Sequence, residues 1–249
     1  MPLLTPHDTL AALPQESGLA PDDDALIKAL QVRAWDPGLR FDTADVPVGW
    51  LAERYGSARL EQRRDAVVSY GSDGTVRFKA GAEEAAAYYA DAPRGPLFPP
   101  ITPAEVEEAE RSIGRRFPEL LRRVYTEVAD GGFGPDGGLA SLTEGNRVPG
   151  HLCDWPWTVG VHERNRAAGV PPSWLFLAAG GCTMEWYVSL TALDNQVLLY
   201  DADGWEPAWG QGPHDGLRYA SASLRGWLRT WADGGNVWDE LLNDDPDLE

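Results

Sequence analysis

The chain has 249 residues, of which 43% are hydrophobic and 24% charged; this is enough apolar material for a packed core and excludes a disordered chain. Its 21 Lys and Arg against 39 Asp and Glu give a formal net charge of -18, a field that repels nucleic acid and anionic membranes and favours cationic partners. "MPLLTPHDTL" lacks a basic-then-apolar leader and no later run reaches the ~18 apolar residues of a membrane span. The expected compartment is therefore the cytoplasm, where Cys153 and Cys182 are expected to be small buried hydrophobes and not a disulfide.

In chain order, "PDDDALIKALQVRAW" places three aspartates at the favoured end of a helix and gives Leu26, Ile27, Leu30 and Ala34 as its apolar stripe. "WLAERYGSARLEQRR" predicts a second helix running through Gly56. "AVVSYGSDGTVRF" alternates on both sides of a Ser-Asp-Gly turn, which predicts a hairpin, and "AEEAAAYYADAP" predicts a short helix with a negative start. Five prolines and a glycine then punctuate "DAPRGPLFPPITP", residues 91–103. Such a stretch resists helix and ladder, so the chain is divided there into residues 1–97, an N-terminal α/β extension of unknown role, and residues 98–249. The acidity lies mainly in the second part: 10 basic and 15 acidic residues occupy 1–100, and 11 and 24 occupy 101–249.

The second part opens with Thr102 and Glu105 in a capping-box pattern, Pro103 at the first helical position and Ile101 with Val106 as a hydrophobic staple. Val106, Ala109 and Ile113 continue at helical spacing to a left-handed stop at Gly114. Pro118 starts another helix with Leu120, Leu121, Val124, Tyr125 and Val128 on one face, ended by Asp130, Gly131 and Gly132. From residue 150 the pattern changes to strands and loops. "WLFLAA", "EWYVSL" and "QVLLYD" read as strands separated by "GG", "DN" and "DG", and Leu224, Trp227, Leu228 and Trp231 mark a closing helix stopped by Gly234 and Gly235. "VWDELLNDDPDLE" reads as a last helical turn and an acidic tail. Helices, a sheet and a closing helix define an α+β protein.

The order Glu110, Ile113-Gly114, Phe117-Pro118, a Tyr125-bearing apolar helix and Gly131-Gly132, followed by "GGCTMEWYVSLTALDNQVLLYDADGWEP" and "SLRGWLRTWADGGNVWDEL", resembles the SUKH superfamily, whose fungal members are the SMI-KNR cell-wall synthesis regulators. The resemblance covers roughly residues 98–242 and leaves the first part outside. It implies a mixed sheet flanked by helices and a non-enzymatic binding fold, used in bacteria mainly as an immunity protein that neutralises a secreted toxin. The family usually carries Asn-Gly-Gly where this chain has Asp130-Gly131-Gly132, and aspartate also tolerates such a turn.

Chemistry is sparse. His151, Cys153, Asp154 and His162 lie close in sequence but lack the paired spacing of a zinc site, so no metal and no cofactor are expected. Asp201, Asp203 and Gly204 match part of a calcium loop without its closing glutamate, which reads as a β-turn. "DGGFGPDGG" follows a helix where a phosphate loop precedes one, and has no Gly-Lys-Ser/Thr ending. No catalytic residue is assigned. Glu185, Asp194 and Asp201 are the carboxylates that the alternative, a hydrolase with a carboxylate-lined cleft, would draw on. The favoured expectation is protein binding: Asp201, Asp203, Trp205, Glu206 and Trp209 join charge to aromatic anchors in a form suited to a basic toxin domain. The opposing reading buries both tryptophans and leaves the acids to solvate a turn.

Overall fold

A computed structural model describes residues 23–56, 66–71, 73–148 and 153–239. The fold is α+β, with two antiparallel sheets and seven α-helices among these residues. Helix α1 (Asp23–Ala34) leads into β1 (Thr43–Pro47), α2 (Val48–Tyr55), β2 (Val67–Tyr70), β3 (Thr75–Lys79) and α3 (Glu83–Tyr88). The strands form a small sheet of order β1-β3-β2. Val46, Val76 and Phe78 pack there against Leu51 of α2 and Ala85 of α3. The hairpin is present as β2–β3. Helix α2 is shorter than expected: it stops at Gly56, whose φ of 75° turns the backbone out of the helix, and residues 57–65 lie outside the described part.

Residues 91–102 carry no helix or strand, yet they are tied down. The Gly95 amide donates to Trp35 O at 2.8 Å, and Phe98 is buried with its ring 5.6 Å from that of Trp155. Helix α4 (Pro103–Ile113) then begins with a complete capping box, in which Thr102 accepts from the Glu105 amide at 3.3 Å and the Glu105 carboxylate accepts from the Thr102 amide at 2.7 Å. It ends on left-handed Gly114. Helix α5 (Glu119–Arg123) continues as a single π-helical turn over Val124–Val128. Its widening has a visible cause. The Tyr125 carbonyl accepts from the Ile101 amide at 3.1 Å, and the Ala129 amide reaches back to Val124 O at 3.2 Å. All five apolar residues from Leu120 to Val128 are buried on one face.

Helix α6 (Thr158–Ala167) was not expected from the sequence, which reads there as loop and strand. It has no side-chain cap and starts Thr-Val-Gly-Val, residues of low helix propensity; packing of Val159, Val161 and His162 supplies what propensity does not. Strands β4 (Trp174–Ala179), β5 (Met184–Ser189), β6 (Val197–Asp201) and β7 (Leu217–Ala220) form the larger sheet in that order, and α7 (Leu224–Ala232) closes the fold. The expected mixed sheet is corrected here: every pairing among the described strands is antiparallel. Connections as short as residues 180–183 and 190–196 are too short for the crossover that parallel neighbours require.

The larger sheet is buried on both faces. Leu175, Leu177, Trp186, Val188, Val197 and Leu199 point into the main core with α4, α5 and α7; the alternate residues Trp174, Phe176, Tyr187, Leu198 and Tyr200 form a second cluster with Val161 of α6. Helix α1 contributes to that main core through Leu26, Ile27, Leu30 and Ala34. Polar contacts fasten it there as well: Asp23 pairs with Arg225 and Asp24 with Arg123, both at 2.8 Å, and the Trp35 indole donates to Val128 O at 2.9 Å.

Candidate binding surface

The segment from Asp201 to Arg218 connects β6 to β7 and holds all five residues singled out for partner binding. Asp201 ends β6 and turns inward. Its carboxylate accepts from the Thr183 hydroxyl at 2.9 Å and the Asp203 amide at 3.2 Å, and it pairs with Arg218 at 3.2 Å. Partial burial would raise the Asp201 pKa, but those hydrogen bonds and the guanidinium outweigh it and hold the carboxyl below its usual range. Arg218 also donates to Gly204 O and Asp215 O, both at 3.1 Å, so one cation staples both ends of the connection. The residues that match part of a calcium loop therefore form a turn whose positive charge comes from Arg218.

Trp205 also faces inward. Its indole donates to the Tyr200 hydroxyl at 2.6 Å, and its ring packs half-buried on the second cluster. Beyond it the chain makes a 3-10 turn, Pro207–Trp209, with Glu206 as its cap: the Glu206 carboxylate accepts from the Ala208 amide at 3.0 Å, and left-handed Gly210 ends the turn. The Glu206 amide donates to the Gln211 side chain at 2.8 Å, which closes the small loop on itself. Trp209, carried on this turn, is 80% exposed. Of the five candidates, Asp201 and Trp205 hold the loop in place, whereas Asp203, Glu206 and Trp209 face solvent.

The other sequence candidates are scattered. His151 lies outside the described residues; Cys153 and Cys182 are both exposed free thiols on loops, which corrects the expectation that they are buried. Asp154 pairs with Arg147, and His162 is buried in α6 with its Nε2 unpartnered. Burial is the main reason the His162 pKa lies below its usual value. Among the described residues no group of three or more His, Cys, Asp or Glu side chains is placed to hold a metal ion. Of the three carboxylates considered for hydrolysis, Glu185 accepts from Tyr187 and Asn165 under the second cluster, Asp194 lies in the β5–β6 connection and Asp201 is engaged as above.

Two polar clusters were not foreseen. Buried Asp130, at the exit of α5, accepts from the Ser141 hydroxyl at 2.5 Å, the Leu142 amide at 2.7 Å, the Thr143 amide at 3.2 Å and the Asn146 side chain at 2.9 Å. The glycine-rich stretch thus exists to seat this loop. A Cβ on Gly131 would lie 2.5 Å from Leu139 O, and its φ is 75°. The second cluster centres on Asp136, whose carboxylate accepts from the Trp186 indole at 2.6 Å and the Trp238 indole at 2.8 Å while its amide donates to Asp42 at 2.8 Å. Burial pushes both the Asp136 and the Asp42 carboxyls above the usual range. The "DGG" punctuation signals the first cluster; no local pattern signals the second, which joins residues far apart in the chain.

No family model and no curated protein sequence matches this chain. Among the described residues no helix is long and apolar enough to cross a membrane.

Proposed function

We propose that this protein acts by binding another protein, as a SUKH-like immunity protein that neutralises a toxin or as a regulatory module of the same kind, through the acidic face around Trp209. The observation that carries this reading is a large aromatic side chain, 80% exposed, set on a capped turn between Glu206 and Gly210 in a loop stapled by Arg218. An exposed tryptophan on a restrained loop loses little conformational entropy on docking and supplies the kind of anchor that dominates interface energetics. Exposed Asp203 and Glu206 in the same connection, within a chain of net charge -18, would speed encounter with a cationic partner.

On this reading neutralisation is stoichiometric: the face covers a basic active-site or substrate-binding surface, and no bond is made or broken. On the same reading the residues from Glu110 to Gly132 serve as frame, since they form the end of α4, α5 and the seat of the Asp130 loop. The test is calorimetric titration, at low salt, with a basic toxin domain encoded beside this chain. A one-to-one complex that weakens as salt is added, together with loss of toxin activity at one equivalent, is the expected result. Absence of a complex would reject the reading.

A further inference from the structure

The corner where α4 turns into α5 gathers arginines beside glutamates. Arg111, Arg115, Arg116 and Arg122 line an open hollow of about 650 Å³ together with Glu107 and Glu110. The glutamates are already engaged: Arg122 pairs with Glu110 at 2.5 Å and with Glu107 and Glu119 at 3.7 Å, and the Glu110 carboxylate also accepts the Phe117 amide at 2.7 Å. Arg111 pairs with Glu108 on its own helix. Arg115 and Arg116 are exposed and make no ion pair among the described residues.

Two guanidinium groups without carboxylate partners among the described residues, those of Arg115 and Arg116, stand side by side in sequence on one corner of a chain with 18 excess negative charges. Their placement follows from the backbone. Gly114 ends α4 in a left-handed turn, Phe117 is buried, and Glu110 receives the Phe117 amide, so Arg115 and Arg116 are held at the outside of a fixed corner. Arginine forks on such a corner match carboxylates in a bidentate manner.

We propose that this corner is a second interaction surface, independent of the Trp209 face, and that it receives a short acidic polypeptide segment of a partner protein through Arg115 and Arg116. A short segment is favoured over nucleic acid because at physiological salt charges are screened beyond ~8 Å. A few carboxylates can sit within that distance of the arginines, whereas a long polyanion would extend over the acidic remainder of the surface.

The test uses the full chain and a fluorescein-labelled hexaglutamate peptide, followed by anisotropy at low and at physiological ionic strength. The expected result is saturable binding that weakens with salt and falls roughly tenfold or more in Arg115→Glu/Arg116→Glu. A control of equal charge change on the small sheet side, Arg54→Glu/Lys79→Glu, should lose much less, and Arg115→Gln/Arg116→Gln should fall between the two. Circular dichroism checks that each variant is folded; these exposed side chains leave the core intact. No saturable binding at low salt, or equal loss in both Glu pairs, would overturn the proposal. Two further outcomes would also overturn it: tighter binding of a DNA oligonucleotide of equal charge through the same arginines, and self-association of the chain that those substitutions abolish.

Discussion

At the exit of α5, Asp130 does at one position what several residues of a loop would otherwise share. Its buried carboxylate terminates two backbone amides, a hydroxyl and a side-chain amide. Asp130→Ala orphans the Leu142 amide, whereas the Ser141 hydroxyl keeps Thr143 O at 2.9 Å and the Thr143 amide and Asn146 side chain keep the Ser141 hydroxyl at 3.1 and 2.6 Å. With one buried donor unsatisfied and the other bonds weakened, it is expected to destabilise the fold by about 2 kcal/mol in urea unfolding, since an orphaned buried group costs ~1–3 kcal/mol. Asp130→Asn retains one acceptor oxygen and should fall between. His162 provides a residue-scale test in pH. Burial lowers its folded pKa below the unfolded value of ~6.5, so the unfolded chain takes up the proton first as pH falls. Its contribution to stability is full above the unfolded value and is lost as pH drops through the folded one. The urea midpoint should therefore decline from about pH 7.5 to about pH 5 less steeply in His162→Leu than in the parent chain. Equal slopes would show that His162 does not set this dependence.

Among the elements, α1 is the one whose role the sequence leaves most obscure. Its stripe is plain in Leu26, Ile27, Leu30 and Ala34, yet nothing local says that this stripe packs against α5 and α7, more than ninety residues away. Leu30 is fully buried. Leu30→Ala is expected to cost about 3 kcal/mol and to shift tryptophan fluorescence and far-UV circular dichroism together, because the helix shares a core with the larger sheet. A separate early transition would show instead that α1 unfolds by itself. The elements legible in the sequence are those with strong local chemistry: the capping box of α4, the left-handed Gly114, the five-residue apolar face of α5, the three apolar strands and the Trp-rich α7. Helix α6, strand β7 and the π turn were not legible. Tertiary contacts decide them: α6 begins with poor helix formers, β7 has four residues, and the π turn depends on Ile101 taking the Tyr125 carbonyl.

The candidate site was legible in the same partial way. "DADGWEPAW" shows acids and tryptophans together, but which of them face outward depends on Arg218, which pins Asp201, and on Tyr200, which receives Trp205. Only those tertiary contacts separate the two residues that hold the loop from Asp203, Glu206 and Trp209.

For the molecule as a whole, the charge of -18 is unevenly spread: an acidic connection with an exposed tryptophan lies between β6 and β7, and an arginine-bearing corner lies between α4 and α5. Rigid framing by two polar clusters and a sheet buried on both faces suits a protein that presents surfaces ready-made. The most direct measurement is the affinity of Trp209→Ala for the basic toxin domain, set beside its thermal midpoint. The account predicts an unchanged midpoint, because Trp209 packs on little, and an affinity lower by roughly thirtyfold, the loss of one interface anchor. Unchanged affinity, or a fall in affinity matched by a fall in stability, would contradict it.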